Sequence, residues 1–259
     1  MQVQVIPVFK DIHVLRKSML EALSDQAFLA HQLLYKGYGN GILSGCELTT
    51  TEDTIWLNEG MMVYEGQIFL IKEPMGITYH PTNTTMVLKI CFSEQIRDGS
   101  FFYREAQLLL TKQEEKKKGE LELCRFKLQE GARLRYVYQD FEDRDTEFDT
   151  LNTIYAEYSA KGGSSLAPDI LWEFSQKMLE ESELTEVDRC VCLQLLAQER
   201  PVNRQMLISY IQGRKERVME DTSNHAIYVE LVRILREVKE GEKVKAEDTG
   251  KKKWRMTVE

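Results

Sequence analysis

The chain has 259 residues, of which 42% are hydrophobic, 9% aromatic and 29% charged. This composition allows a buried core and excludes wholesale disorder, and the length exceeds that of the commonest single domain. The formal net charge of -8 argues against a surface that mainly binds nucleic acid or anionic lipid, because phosphate binding requires a basic face. We therefore predict a globular protein of two domains, or of one domain with a substantial appendage.

The first 36 residues are predicted to form a short strand and an amphipathic helix. Val3, Val5 and Val8 stand among polar or turn residues, as in a strand. From Asp11 the apolar residues recur every three or four positions, which places them on one face of a helix of about six turns. They are Ile12, Leu15, Met19, Leu23, Ala27, Ala30 and Leu34. The helix is expected to end at the glycines of KGYGNG, which allow a turn.

Residues 37–143 are predicted to form an antiparallel β domain, either a meander or a small barrel. Between Ile42 and Tyr138, short segments of alternating apolar and polar residues are separated by turn residues such as Asp98-Gly99. The predicted strands lie in GILSGCELTT, TIWLNEGMMVYEG, QIFLIKEP, TTMVLKICFSE, SFFYREAQLLLTK and LELCRFKLQEG.

Residues 150–238 are predicted to form a helical module. The pattern is helical from Leu151, is broken by KGGSSLAP, and resumes near Pro168. Thr185 and Asp188 have the spacing of a capping box. The residues predicted to face the interior of the bundle are Ile170, Phe174, Met178, Leu184, Val187, Val191, Leu195, Met206, Tyr210, Val229, Val232 and Leu235.

Residues 239–259 have the composition of a charged C-terminal tail, except for the apolar residues Trp254, Met256 and Val258. The alternation in WRMTV is typical of a strand that adds to the sheet edge of another protein. The predicted fold class is therefore α+β: an N-terminal helix, a small antiparallel β-sheet or barrel-like domain, and a C-terminal helical bundle followed by the tail.

The sequence carries the marks of a cytoplasmic protein. Its N-terminus lacks the cationic region and continuous apolar run of a signal peptide, and no window reaches the length of a membrane span. The five cysteines are odd in number and scattered among apolar neighbours, which favours reduced, buried thiols over disulfides. Cys190 and Cys192 lack the CxxC spacing of zinc or redox sites, and on a helix they point to opposite sides.

No motif in the sequence indicates catalysis, a cofactor or a metal. The glycines of KGYGNGILSG precede a strand instead of opening a helix, so a structural turn is favoured over a phosphate-binding loop. The histidines His13, His31, His80 and His225 lie in different predicted elements or far apart on one helix, so a shared metal ion is not expected.

An acidic run at residues 140–149 could bind a divalent cation, but it lacks the central glycine and terminal glutamate of a calcium loop. Its carboxylates are Asp140, Glu142, Asp143, Asp145, Glu147 and Asp149. A solvated linker or a docking strip for a basic partner is favoured instead.

The segment GYGNGILSGCELTTTEDTIWLNEGMMVYEGQIFLIKEP resembles a known class of β domain. It has a glycine-flanked entry, a strand, a polar turn, strands reaching Gly60 and Gly66, and an apolar strand ending at Pro74. It is similar to the small β domain of baseplate and fibre-attachment proteins of contractile phage tails, phage-tail-like bacteriocins (tailocins) and related injection systems. LELCRFKLQEGARLRYVYQD is similar to the segment that closes that domain. The resemblance covers about residues 35–143.

The resemblance implies a structural protein without catalytic residues. Its partners would be other tail or baseplate proteins in a multi-copy assembly, with no nucleic acid, membrane, cofactor or small-molecule substrate, and it would be cytoplasmic during assembly. On this hypothesis the partner contacts are Trp254, Met256 and Val258 of the tail and Leu15, Met19 and Leu23 of the N-terminal helix.

Two other functions stay open at this point. A binding or regulatory module for a peptide or sugar, forming a monomer or dimer, would need an aromatic-lined pocket around Trp56, Phe69, Phe101 and Tyr103, although these side chains are favoured as core. An enzyme would need an acid, base or metal constellation that the spacing does not reveal.

Overall fold

The computed structural model describes Pro7 and residues 14–99, 101–112, 117–182, 184–215 and 217–251, the last ten of these by backbone alone. Within these ranges the fold is α+β, with an N-terminal helix, several small antiparallel sheets and C-terminal helices, which confirms the predicted fold class. The strand predicted around Val3, Val5 and Val8 lies outside the described residues, and so does Ile12 of the predicted helix.

The elements follow in chain order. The N-terminal helix consists of α1 (Lys17–Ser24), a π-helical turn (Asp25–Leu29) and α2 (Ala30–Leu34). The strands are β1 (Gly41–Gly45), β2 (Leu48–Thr50), β3 (Thr54–Leu57), β4 (Gly60–Tyr64), β5 (Gln67–Ile71), β6 (Met75–Thr78), β7 (Met86–Phe92), β8 (Ile96–Asp98), β9 (Phe101–Tyr103), β10 (Ala106–Lys112), β11 (Glu120–Phe126), β12 (Tyr158–Ala160) and β13 (Gly163–Ser165). A 3-10 turn spans Glu142–Asp145. The C-terminal helices are α3 (Pro168–Leu179), α4 (Glu186–Leu196), α5 (Arg204–Lys215) and α6 (Asn224–Lys251).

The strands form small sheets whose orders are β13-β12-β1-β4-β5, β10-β7-β11, β2-β3-β6 and β8-β9. Neighbouring strands are antiparallel, except that β12 runs parallel to β1, with Ile42 opposite Tyr158. β5 is therefore an edge strand, whose outer backbone groups have no neighbouring strand in the described part of the chain.

The prediction of helix from Leu151 is wrong. Residues 158–165 form the β12-β13 hairpin, which joins the sheet of the first half, and the first helix of this half begins only at Pro168. The backbone N–H of Gly39 lies 3.0 Å from the carbonyl oxygen of Ala160 and 3.1 Å from that of Gly163. Pairing with distant residues thus overrides the local pattern, which shows how context decides strand formation.

Two clusters of buried apolar side chains fill the interior. One lies among the strands and includes Ile55, Leu88 and Leu121, and the other lies among the helices and includes Phe174 and Tyr228. Tyr158 of β12 packs against both clusters. The two clusters therefore meet at Tyr158. The domain boundaries at residues 37–143 and 150–238 stay predictions.

The helices agree in most details with the sequence. Thr185 accepts a hydrogen bond from the N–H of Asp188 and the capping box is complete, and Pro168 is the first residue of α3, as expected. The prediction that Val187 faces the interior of the bundle is wrong, because its side chain is 64% exposed in the first turn of α4. α6 spans Asn224–Lys251 and so extends past residue 238, where the helical module was predicted to end.

The acidic run at residues 140–149 is neither a solvated linker nor a free docking strip, because its carboxylates bind groups of this chain. We call it the acidic joint. Asp143 pairs with Arg135, Glu142 with Arg236, Asp145 with His225 and Asn152, and Glu147 with Lys127, while Asp140 and Asp149 accept backbone N–H groups. The joint therefore ties the strands to α6.

Candidate protein-protein interface

The N-terminal helix exposes an unusual amount of apolar surface. None of the side chains of α1, the π turn or α2 is buried, and the large apolar residues that stand 43% to 70% exposed are Leu20, Leu23, Phe28, Leu29, Leu33 and Leu34. Of the predicted contact residues, Leu15 is 56% exposed just before α1, and Met19 is half-buried. An apolar helix face without a buried residue is typical of a surface that packs on another protein.

The apolar residues of this helix do not form the single stripe that the sequence predicts. The π-helical turn inserts one extra residue into the regular helix and rotates the side chains that follow it. Leu15, Met19 and Leu23 precede the turn, whereas Leu33 and Leu34 follow it. Phe28 lies within the π turn and does not fall on the face predicted for a regular helix, so its exposure could not be predicted from the spacing.

A second exposed apolar element is the β8-β9 hairpin. Phe101 is 75% exposed, Phe102 66% and Tyr103 40%, while the guanidinium carbon of Arg97 lies 5.6 Å from the centroid of the Phe102 ring. The segment SFFYREAQLLLTK, predicted as one strand, is divided into β9 and β10. Three consecutive aromatic residues could have indicated the exposure of β9, because successive side chains of a strand point to opposite faces and cannot all be buried on one side.

These two elements meet at a groove of about 580 Å³ beside the edge strand β5. We call it the β5 groove. Phe28 contributes from the π turn, Phe69 and Leu70 from β5, and Phe102 and Tyr103 from β9. Leu70 is 60% exposed, and the ring of Phe69 packs on Phe92 with its centroid 4.3 Å away. The groove thus combines exposed apolar side chains with a strand edge that can accept another strand.

The aromatic pocket that a binding module would need is not formed. Only Phe69 and Tyr103 of its four predicted members line the β5 groove, and Trp56 instead covers Gly76 on the β2-β3-β6 sheet. The expectation that the four side chains are core is wrong for Trp56, Phe101 and Tyr103, which are 37%, 75% and 40% exposed. Phe69 does pack against the cluster among the strands. Strand pairing explains the difference, because Trp56 lies on the outer face of β3.

The thiols and histidines of the described residues do not assemble into a reactive site. Burial raises the pKa of Cys46 to about 12 and that of Cys192 to about 11, which keeps both protonated. Cys190 is exposed and Cys192 buried, so they point to opposite sides of α4 as predicted, but the expectation of buried thiols is wrong for Cys190. The five cysteines, all of them described, form no disulfide. His13 lies outside the described residues, and His225 lies 3.0 Å from a carboxylate oxygen of Asp145.

The described residues were also compared with the requirements of a metal site and of a membrane-spanning helix. In the ranges that the structure describes, no three His, Cys, Asp or Glu side chains are grouped to hold a metal ion. None of the helices in those ranges is long and apolar enough to cross a membrane.

The glycines of KGYGNG lie against the β12-β13 hairpin, where Gly39 and Gly41 would clash with backbone atoms if they carried a Cβ. The predicted contacts Trp254, Met256 and Val258 lie outside the described residues.

Comparison with known proteins finds likeness in solved structures alone. No protein family and no curated sequence matches the chain. A crystal structure of TssK aligns with 10% identity and a TM-score of 0.40, over 90% of this chain and 72% of that one. A chain of the type VI secretion TssK-TssF-TssG baseplate subcomplex aligns with 8% identity and a TM-score of 0.38, over 90% of this chain and 99% of that one.

A chain of the baseplate complex from the type VI secretion system also aligns, with 8% identity and a TM-score of 0.30, over 90% of this chain and all of that one. At these scores the likeness is slight.

Proposed function

We propose that this chain is a structural component of a phage-tail-like contractile particle, in its baseplate or at the point of fibre attachment. It acts by protein-protein assembly and not as an enzyme. The observation that carries the proposal is the β5 groove with the exposed apolar helix beside it, set on a β domain whose sequence resembles that of this class of proteins.

The exposed residues of this surface would be covered in an assembly. Phe28, Leu70 and Phe102 are 60% to 70% exposed and line one groove, so their apolar surface is contiguous. Large contiguous apolar patches, of more than roughly a few hundred Å², are rare on soluble monomers and usually mark an interface with a protein or another ligand. Lys72, Glu73 and Arg104 also line the groove and supply a polar rim of both signs, as at protein interfaces.

The exposed edge of β5 allows a neighbouring protein to bind by adding a strand to the sheet. A strand from a neighbouring protein can pair with β5, and its successive side chains would then lie beside Phe69 on one face and beside Leu70 on the other. The tail residues Trp254, Met256 and Val258, and Leu15, Met19 and Leu23 of the N-terminal region, remain our proposed contacts with neighbours. The partners are other tail or baseplate proteins in several copies, with no cofactor, nucleic acid, membrane or small-molecule substrate.

The experiment uses two matched substitutions in the tagged full chain, expressed in its own cells. Leu70→Lys places a charge in the β5 groove, and Leu193→Lys does the same at a residue that is 55% exposed on α4, away from the groove. Purification followed by electron microscopy should show tail-like particles with the parent and Leu193→Lys, and few or none with Leu70→Lys.

Two results would overturn the proposal. One is a parent chain that is recovered as a lone monomer or dimer under conditions that preserve large assemblies. The other is a Leu70→Lys chain that enters particles as efficiently as the parent. Subunits of the type VI secretion baseplate are the first partner class to test by mass spectrometry of the purified particles.

A further inference from the structure

A cleft of about 440 Å³ lies where strands β1 and β2 face the first turn of α3, on residues other than those of the β5 groove. We call it the tyrosine cleft. Tyr136, Tyr138 and Tyr158 contribute aromatic walls, and Leu48, Leu123 and Leu151 are among its apolar residues. A cleft of this size falls within the range of about 300–1,000 Å³ that small ligands occupy, and it can hold one or two large side chains.

The charged residues of the tyrosine cleft are all acidic. Its described lining contains Glu47, Asp169 and Glu199 but no lysine, arginine or histidine. Within the described ranges, the carboxylates of Glu47 and Glu199 are exposed and form no ion pair or hydrogen bond. Two unpaired carboxylates beside one cleft attract a positively charged group.

The third acidic residue of the cleft, Asp169, is paired with Arg144, but this pairing does not offset the negative charge of the cleft. Asp169 lies 3.0 Å from the guanidinium of Arg144, but Arg144 is shared with Glu173 at 2.8 Å, so the group as a whole stays negative. Burial raises the pKa of Tyr158, and the negative charges of Asp169 and Glu47 raise it further. The phenol therefore adds no charge to the cleft, and the exposed ring of Tyr136 is the one that a cation can reach.

A ligand for this cleft must combine positive charge with apolar or aromatic bulk. Lysine and arginine side chains meet this need, because their heads pair with carboxylates while their stems pack on rings. Tyr136 is 42% exposed, and Trp172 is 49% exposed three residues after Asp169, hence on the same side of α3. The exposed rings extend the aromatic surface beyond the cleft.

The chain itself contains a segment of this chemistry directly after the described part of α6. Lys251, Lys252, Lys253 and Arg255 supply four cations within five residues, with Trp254 among them. We propose that the tyrosine cleft binds the basic, aromatic segment 252–259 of a second copy of this chain.

The position of α6 favours a second copy over the same chain. Val238 is the last described side chain of α6 that is buried, and the helix continues thirteen residues, or about 20 Å, to Lys251. Asn224, the first residue of α6, donates a hydrogen bond of 2.7 Å to the carbonyl oxygen of Ala156 in the cleft lining, and a helix of 28 residues carries its other end about 40 Å away. The eight residues that follow span at most about 29 Å when fully extended, which is too short to return to their own cleft. A neighbouring copy can receive them.

The test measures self-association of the full chain by analytical ultracentrifugation, together with fluorescence anisotropy of a labelled synthetic peptide of residues 250–259. In one variant Glu47→Gln and Glu199→Gln remove the unpaired carboxylates. In its control Glu130→Gln and Glu220→Gln remove two other exposed carboxylates, so both variants change the net charge equally. Circular dichroism verifies that each variant is folded.

The expected result is that the parent and the control self-associate and bind the peptide, and that the cleft variant does both about tenfold more weakly. Added salt should weaken the binding of the parent, and replacing Lys252 and Lys253 with glutamate should abolish it. Glu199→Lys in the cleft should restore binding of the peptide in which Lys252 and Lys253 are replaced by glutamate, because the charges of the pair are then reversed.

Three results would overturn the proposal. The first is a parent chain that stays monomeric and does not bind the peptide, as when the segment occupies its own cleft. The second is equal weakening in the cleft variant and the control. The third is a peptide that binds equally well after Trp254 and its basic neighbours are replaced by serine. None of these bears on the β5 groove, so the proposed function is tested separately.

Discussion

Gly39 packs directly against the backbone of Gly163: a Cβ atom built on Gly39 would lie 2.2 Å from the carbonyl carbon of Gly163. The contact joins the turn after the N-terminal helix to the β12-β13 hairpin, and two hydrogen bonds from the N–H of Gly39 accompany it. It explains why this turn contains glycine without any role in phosphate binding.

Gly39→Ala should destabilise the protein because the added methyl group has no space against backbone atoms. We expect a loss of about 1–3 kcal/mol in the free energy of unfolding, measured by urea denaturation. Gly213→Ala is the matched control, since no atom lies within 4 Å of its Cβ position in α5, and alanine favours helix. Equal stability of the parent and Gly39→Ala would mean that the hairpin does not pack here.

Arg144 should be the most sensitive residue of the acidic joint. Its side chain is 7% exposed and binds Asp169 and Glu173 of α3, so Arg144→Ala leaves a partly buried carboxylate without its partner. We expect a loss of about 3 kcal/mol in the free energy of unfolding.

The control for Arg144 is Arg133→Ala, which breaks a fully surface-exposed pair with Glu52 and should cost less than about 1 kcal/mol. Similar losses for the two variants in urea denaturation would show that Arg144 does not hold the joint.

The pH dependence of stability should report on Asp143. The guanidinium of Arg135 holds the pKa of Asp143 well below its usual range, and the N–H of Gln139 and the hydroxyl of Thr146 lower it further. Because the folded-state pKa lies below the unfolded value of about 3.9, the ionised carboxylate stabilises the fold above that pH. This stabilisation is lost as the pH falls toward the folded-state pKa.

Asp143→Asn should therefore be less stable than the parent at about pH 7, with a difference that shrinks at about pH 2.5. Urea denaturation at both pH values measures it. A deficit that is the same at both values would indicate that the substitution acts through packing instead of charge.

The sequence predicted the elements whose signals are local. The capping box of Thr185 and Asp188, Pro168 at the start of α3 and the opposite orientations of Cys190 and Cys192 depend on spacing within one helix, and the structure confirms them. Helix termini can be read from sequence because their hydrogen bonds connect residues within one turn.

The features that the sequence missed depend on distant residues. The β12-β13 hairpin forms because β12 pairs with β1, and Glu142 of the acidic joint is paired with Arg236, which lies 94 residues away in the sequence. No window of sequence contains both partners of such a contact. The β5 groove was missed likewise, since it joins Phe28 to Leu70 and Phe102.

The exposed rings of β9 should contribute little to folding. Phe101→Ser together with Phe102→Ser should change the free energy of unfolding by less than about 1 kcal/mol, since both rings face solvent. Phe174→Ala in the helical core should cost about 3–5 kcal/mol. Losses of similar size in urea denaturation would show that the hairpin aromatics are core.

The reactivity of the five cysteines should follow their burial. At about pH 8, iodoacetamide should alkylate Cys190 fastest, because it is exposed on α4. Cys46 and Cys192 should react at least about a hundredfold more slowly, since burial raises their pKa values to about 12 and 11 and also blocks access. Mass spectrometry of timed samples measures each site.

Two controls make the alkylation result specific. Cys190→Ser should abolish the fast phase while leaving the slow sites unchanged, and all five cysteines should react quickly in denaturant. If Cys192 is alkylated in the native protein as fast as Cys190, then α4 does not bury it against α3, and the packing of the helical core described above would be wrong at that position.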